Sequence, residues 1–256
     1  MSDSEERPMI EFRDVRKSFG SQKVLDGVTL SIPRRRTTVI IGRSGTGKSV
    51  LLKHVLGLLR PDSGQVVVDG TDIATLGAED LLGLRRRFGM CFQNAALFDS
   101  MTVGENVAFP LVEHTRLPLG KIQDVVREKL RLVGLVNVEH KMPSELSGGM
   151  RKRVGIARAI ALEPEIILYD EPTTGLDPIM SAAIDDLIRR TQESLKLTCV
   201  VISHDIRAAF KIAHRIAMLY EGRVLVEGTP EELSQNPNPI LRQFLEGRAD
   251  GPIQIT

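Results

Sequence analysis

Residues 42 to 49, GRSGTGKS, have the types and spacing to hold a polyphosphate. They fit the G-x-x-x-x-G-K-[ST] pattern, with the apolar TTVIIG before them and a helical run after them. Phosphates crowd against the backbone in such a loop. Gly42, Gly45 and Gly47 allow the tight turns, and the N–H groups of Arg43, Ser44, Thr46 and the helix start present partial positive charge. Lys48 adds a full charge for the β and γ phosphates, and the Ser49 hydroxyl can ligate Mg²⁺.

Two more stretches supply acid–base chemistry. In IILYDEP, Asp170 ends an apolar strand and can hold magnesium, while Glu171 can orient and deprotonate a water. In VISHD, His204 ends the next apolar strand, where a histidine can reach a γ phosphate. A fourth stretch, SELSGGMRKR, offers an anion site without an anion. Ser147 can cap a helix, and Gly148 and Gly149 leave its first N–H groups bare. In that helix Met150, Val154, Ala157 and Ala161 recur at core spacing, and Arg151, Lys152 and Arg153 read as a solvated basic surface.

The elements that must position these groups follow from periodicity. TTVIIG, IILYDEP and TCVVISHD are continuously apolar, as central parallel strands covered on both faces must be. Strand-length runs alternate with helical segments, which predicts an α/β fold with a mostly parallel core sheet and chemistry at the strands' carboxyl ends. IEFRDVRKSFG and KVLDGVTLSI read as antiparallel strands near the start, GRVLVEG as a late strand, and VLLKHVLGLL as an amphipathic helix. From about residue 95 to 155 helical segments such as GKIQDVVREKLRLVGL take over, punctuated by Pro110, Pro118 and Pro143, and predict an inserted helical subdomain.

Composition narrows the partners. Thirty-four basic against 33 acidic residues give a net charge of +1, so no global field draws the chain to nucleic acid or anionic lipid. Cys91 and Cys199 lie apart in apolar strands and read as packing residues rather than metal ligands. MSDSEERP has neither the basic nor the apolar region of a secretory leader, which predicts a cytosolic location. No run reaches the roughly 18 apolar residues that a membrane helix needs.

Together these motifs resemble the ATP-binding cassette (ABC) ATPases, from about residue 9 to 245, with 246 to 256 as a short tail. The resemblance implies a P-loop fold with an N-terminal antiparallel β subdomain, with ATP and Mg²⁺ as ligands. It implies that Phe19 stacks on adenine, and that Gln93, in FQNAALF, touches magnesium and the attacking water. LSGGM is similar to the family's signature, Asp177 in TGLD to its D-loop acid, and His204 to its switch histidine. Phe19 as a core residue and Asp177 as a helix cap before Pro178 are local alternatives. The anion missing from the signature would be the γ phosphate held by Lys48 of a second copy, so the resemblance implies a homodimer. Met150 departs from the family's usual Gln and forfeits one bond of a capping box.

ALFDSMTVGENVAFPLVEHTRLP, MPSELSGGM and FLEGRADGPI resemble, more narrowly, the ATPase subunits of Mla-type and Mce-associated lipid transporters. That implies phospholipid cargo and work at the cytoplasmic face of a bacterial inner membrane. The partners would be an integral membrane permease (MlaE-like), an MCE-domain protein (MlaD-like) and a STAS-domain subunit (MlaB-like). An importer or exporter of another substrate would use the same engine. A guanine-nucleotide switch fits poorly, since NKxD is missing from the sequence and LSGG would have no task.

Overall fold

A computed structural model describes residues 7–254. The segment over residues 1–6, where a secretory leader is not expected, lies outside the described residues, as do the last two residues of the tail. In chain order the elements are β1 (Ile10–Phe19), β2 (Gln22–Ile32), β3 (Thr37–Ile41), α1 (Lys48–Val55), β4 (Ser63–Val68), β5 (Thr71–Asp72), α2 (Ala78–Arg85) and β6 (Phe88–Cys91). Then follow α3 (Val103–His114), α4 (Leu119–Leu132), α5 (Gly148–Ala159), β7 (Ile166–Asp170), α6 (Pro178–Leu195) and β8 (Thr198–Ile202). The chain closes with α7 (Ile206–Ile212), β9 (Arg215–Tyr220), β10 (Arg223–Gly228), α8 (Pro230–Gln235) and α9 (Pro239–Glu246). Two compact units emerge, Met1–Thr75 with Ile202–Thr256, and Leu76–Val201.

The first unit carries an antiparallel sheet in the order β2-β1-β4-β5. Alternation drives it: Ile10, Phe12 and Val15 of β1 and Val28, Leu30 and Ile32 of β2 are all buried, in a register that pairs Ile10 with Ile32 and Phe12 with Leu30. The same unit holds the strand order β10-β9-β3, with β3 parallel to β9 and Ile41 opposite Met218. All five residues of β3 are buried, as its continuous apolar run requires. Its carboxyl end delivers the chain to Gly42.

The helix expected over VLLKHVLGLL stops earlier, at Val55. Gly57 takes φ +63° and its N–H donates to the His54 carbonyl at 2.8 Å, while Leu58 N–H reaches back to Lys53 at 2.9 Å. A left-handed glycine that satisfies the last carbonyls is a helix stop, and it overrides the apolar pattern beyond it.

The second unit holds the strand order β8-β7-β6, in which β6 and β7 run parallel with Cys91 opposite Tyr169. Cys91 and Cys199 are both buried on strands and not joined in a disulfide, and burial pushes the Cys91 pKa up to about 12. A Cβ on Gly89 would stand 2.4 Å from the Ala159 carbonyl, so this glycine lets β6 approach the end of α5. Thr102 and Glu105 form a reciprocal capping box at the start of α3. Pro110 lies inside α3 rather than at a boundary. One turn earlier the buried Asn106 amide anchors the start of the helix, donating to the Phe98, Met101 and Thr102 carbonyls at 3.0 to 3.1 Å. Among the described residues, no helix is long and apolar enough to cross a membrane.

Candidate active site

In the first unit the phosphate-loop residues take the backbone that the sequence demands. Gly42, Gly45 and Gly47 have φ of +150°, +80° and +94°. A Cβ on Gly42 would press to 2.4 Å from the Leu219 carbonyl, and one on Gly47 to 2.9 Å from Val24 Cγ1, whereas one on Gly45 would meet nothing within 4 Å. Gly42 and Gly47 therefore serve packing as well as conformation, and Gly45 leaves the exposed side of the loop open to a ligand. Gly47 is the N-cap of α1 and supplies no side-chain bond, so no side-chain oxygen competes for the first-turn N–H groups.

Lys48 is buried, and its ammonium donates to the Gly42 and Arg43 carbonyls at 2.8 and 2.7 Å. The charge is thereby held inside the curve of its own loop. The Thr46 hydroxyl closes the turn onto the same Arg43 carbonyl at 2.9 Å. Ser44 is exposed and Ser49 half-buried at the start of α1. The Arg43 guanidinium, grouped with the ligand-facing loop from sequence, donates to the Gln254 carbonyl of the tail at 2.9 Å.

His204 lies in this unit as well. Ser203 N–H donates to the Ile40 carbonyl at 3.3 Å, which sets His204, exposed, beside the strand that feeds the loop. The Asp205 side chain then caps α7. Phe19 ends β1 with 47% of its surface exposed and the Lys17 ammonium 5.7 Å from its ring centroid. At that exposure Phe19 is not a core residue.

The second unit gathers the remaining candidates. Asp170 and Glu171, both half-buried, follow the fully buried Tyr169 at the end of β7. Glu171 has φ +48°, and its carboxylate accepts from the Thr174 hydroxyl at 2.9 Å. A left-handed glutamate costs about 1 kcal/mol or more. Asp177 caps α6, accepting from Ile179 and Met180 N–H at 2.9 and 3.0 Å with Pro178 at the first helical position. The local reading of Asp177 therefore holds, and the side chain stays exposed.

Ser147 is the exposed N-cap of α5 and accepts from Met150 N–H at 3.3 Å. Gly148 and Gly149 form the helix's first turn. Val154, Ala157 and Ala161 face the core, whereas Met150 is only half-buried. Gln93 is exposed in the loop after β6, where Ala95 and Ala96 have φ of +60° and +46°.

One expectation is corrected here. Arg151 is exposed, but Lys152 is buried at 9% exposure, and its ammonium donates to the Gln93 carbonyl. Its spacing explains this, since Gly149, Lys152 and Ile156 fall three and four residues apart on one buried face of α5. Burial lowers the pKa of Lys152 and of Arg158 from their ordinary values. The charge count hid both residues; the helical register could have found them.

Among the described residues no cluster of three or more His, Cys, Asp or Glu could hold a metal. Taken unit by unit, the oxygen donors offered are the Ser49 hydroxyl in the first unit, and the Asp170 carboxylate and Gln93 carboxamide in the second. Each is a hard oxygen donor of the chemistry that magnesium takes.

Residues 25–174 match the family described as ABC transporter. The chain is 46% identical over 247 residues, 96% of this chain and 71% of the relative, to the probable ribonucleotide transport ATP-binding protein mkl of Mycobacterium leprae (strain TN). It is 42% identical over 245 residues, 96% of this chain and 91% of the relative, to the intermembrane phospholipid transport system ATP-binding protein MlaF of Escherichia coli (strain K12). The ATP-binding cassette MJ0796, solved as a dimer in a post-hydrolysis state bound to ADP and Pi, aligns with a TM-score of 0.79 and 33% identity over 87% of this chain and 99% of that one. The glycine geometry and buried Lys48 of the phosphate loop thus have their family: the chain belongs to the ABC transporters and is an ATP-binding, ATP-hydrolysing subunit.

Proposed function

We propose that this ATPase powers phospholipid movement across a bacterial envelope, held at the cytoplasmic face of the inner membrane by an MlaE-like permease. The observation that carries the cargo is the 42% identity to MlaF, which extends over 91% of that protein and so beyond the ATP-binding motifs. An MlaD-like MCE-domain protein and an MlaB-like STAS-domain subunit complete the proposed complex. The name of mkl, a ribonucleotide transport protein at 46% identity, favours the second reading, the same engine on another cargo. Purification of the complex in mild detergent separates the two. An MCE-domain partner with bound phospholipid supports the first reading, and a solute receptor without lipid supports the second.

In the proposed mechanism Lys48 and the loop N–H groups hold the β and γ phosphates, and Phe19 stacks on adenine. Glu171 takes the proton of a water that attacks the γ phosphate in line, and its bond from Thr174 fixes the carboxylate for that task. His204 and Lys48 stabilise the charge that develops on the transferred group. Mg²⁺, held by Ser49, Asp170 and Gln93, would supply further charge neutralisation when bound. Ser147, Gly148 and Gly149 of a second copy complete the site, and Asp177 lies at that dimer contact. The span 95–155 would carry the resulting motion to the permease as a helical subdomain of a single 9–245 ATPase domain.

Glu171→Gln tests the general base. The variant should bind ATP, lose turnover by at least about 100-fold and accumulate as an ATP-bound dimer. Turnover at the wild-type rate would remove Glu171 from the mechanism.

A further inference from the structure

The loop that carries Gln93 is bound to α5 by cations from the helix. The Lys152 ammonium donates to the Gln93 carbonyl, and Arg158 donates to the Ala96 and Ala95 carbonyls at 2.8 Å each. These are two side chains six positions apart on one helix, gripping three of four consecutive carbonyl positions in one loop. Between them Gly155 admits Ala95, whose Cβ would be 3.2 Å from a Cβ built on that glycine. Ala95 and Ala96 both hold left-handed φ values, which cost about 1 kcal/mol or more apiece. A buried cation is expensive unless hydrogen-bonded, so the bond to the Gln93 carbonyl offsets the burial of Lys152.

The Lys152 side chain also lines a small, mostly apolar recess together with Cys91, Phe92, Ala95 and Pro172, the residue after Glu171. It therefore stands where the Gln93 loop, the end of β7 and the helix that begins at Ser147 come together within this unit.

We propose that Lys152 is a positioning residue for ATP hydrolysis: it ties the Gln93 backbone to the signature helix α5, so that the Gln93 side chain is placed by the same body that presents Ser147 and Gly148. Arg158 holds the far end of the loop in the same way. The proposal rests on the reading of Gln93 as a residue that touches the attacking water. Its consequence is that engagement of Ser147 with a second nucleotide and placement of Gln93 are one event.

The test is a double-mutant cycle on the full-length chain, with phosphate release, binding of a fluorescent ATP analogue and thermal melting as readouts. Lys152→Met removes the donor and keeps the stem. It should lower kcat about tenfold or more and leave nucleotide affinity within about twofold, and Lys152→Arg should recover most of the loss. Because Lys152 acts through Gln93, adding Lys152→Met to Gln93→Ala should cost little beyond Gln93→Ala alone. If Gln93→Ala loses turnover but Lys152→Met is silent, or its effect multiplies independently, the positioning role is overturned while Gln93 keeps its own. If Gln93→Ala itself hydrolyses normally, the reading of Gln93 fails first. Should Lys152→Met fold poorly, Lys152→Gln, which retains a shorter donor, gives the same cycle; loss of kcat in proportion to loss of melting temperature in both variants would also overturn the proposal.

Discussion

The phosphate loop and the signature stretch are both glycine-bearing helix starts, yet their glycines serve opposite purposes. At the phosphate loop every glycine has a positive φ, and a Cβ on Gly42 would collide with a backbone carbonyl at 2.4 Å. At the signature, Gly148 and Gly149 are ordinary helical residues, and a Cβ on Gly148 would have only Leu176 Cδ2, at 3.4 Å, among its close neighbours. The first set is required by the fold of its own chain. In the second set only Gly149 is tied to its own chain, since a Cβ there would stand 2.2 Å from Met180 Cε; Gly148 has room for one, so its smallness is available to something that must come close. The capping groups differ in the same sense: α1 starts on a bare Gly47 with the buried Lys48 as its first residue, whereas α5 starts on exposed Ser147 with Gly148 as its first residue. On the proposed reading, one helix start is a complete anion site and the other is half of one.

Removing the charge that completes the first site should have the largest effect. Lys48→Ala is expected to lower phosphate release by at least about 1,000-fold, because the lysine acts on the charge that develops in the transition state. Ser147→Arg should lower it by about 100-fold or more, yet leave ATP affinity of the single chain within about twofold. Equal loss of affinity in both variants would erase the distinction between the two helix starts.

Glycine replacements sharpen the comparison on the stability axis. Gly42→Ala should destabilise the fold by about 2–4 kcal/mol, from left-handed strain plus the carbonyl clash. Gly148→Ala should change stability by less than about 1 kcal/mol, in either direction, while lowering turnover about tenfold or more. Chemical denaturation beside phosphate release reads both. The smallest effect belongs to Met150→Gln, which can complete the capping box at Ser147. It should add up to about 1 kcal/mol and raise Tm by a few degrees at most, with turnover changed less than about twofold.

Much of this architecture is legible in the amino-acid sequence, for identifiable reasons. The strands β3, β7 and β8 announce themselves because a parallel strand covered on both faces must be continuously apolar. The phosphate loop is equally plain, since few sequences tolerate three left-handed glycines around a lysine. Lys152 is not legible from charge, because a run of Arg-Lys-Arg reads as solvated surface; only its register with Gly149 and Ile156 points inward. The end of α1 is hidden by an apolar run that continues past Val55, and Gly57 stops the helix through a conformation that hydropathy does not record. The bond from Arg43 to the tail joins residues 211 positions apart, and no local pattern encodes it.

Mixing two inactive chains tests most directly whether the signature is half of a site completed by another copy. Lys48→Ala lacks a working phosphate loop and Ser147→Arg lacks a working signature, so each alone should be silent. An equimolar mixture forms heterodimers in which the intact loop of one chain meets the intact signature of the other. Hydrolysis should then return to roughly a quarter of the wild-type rate, since half the dimers would each hold one whole site. A mixture no more active than its separate components would contradict a site shared between two copies.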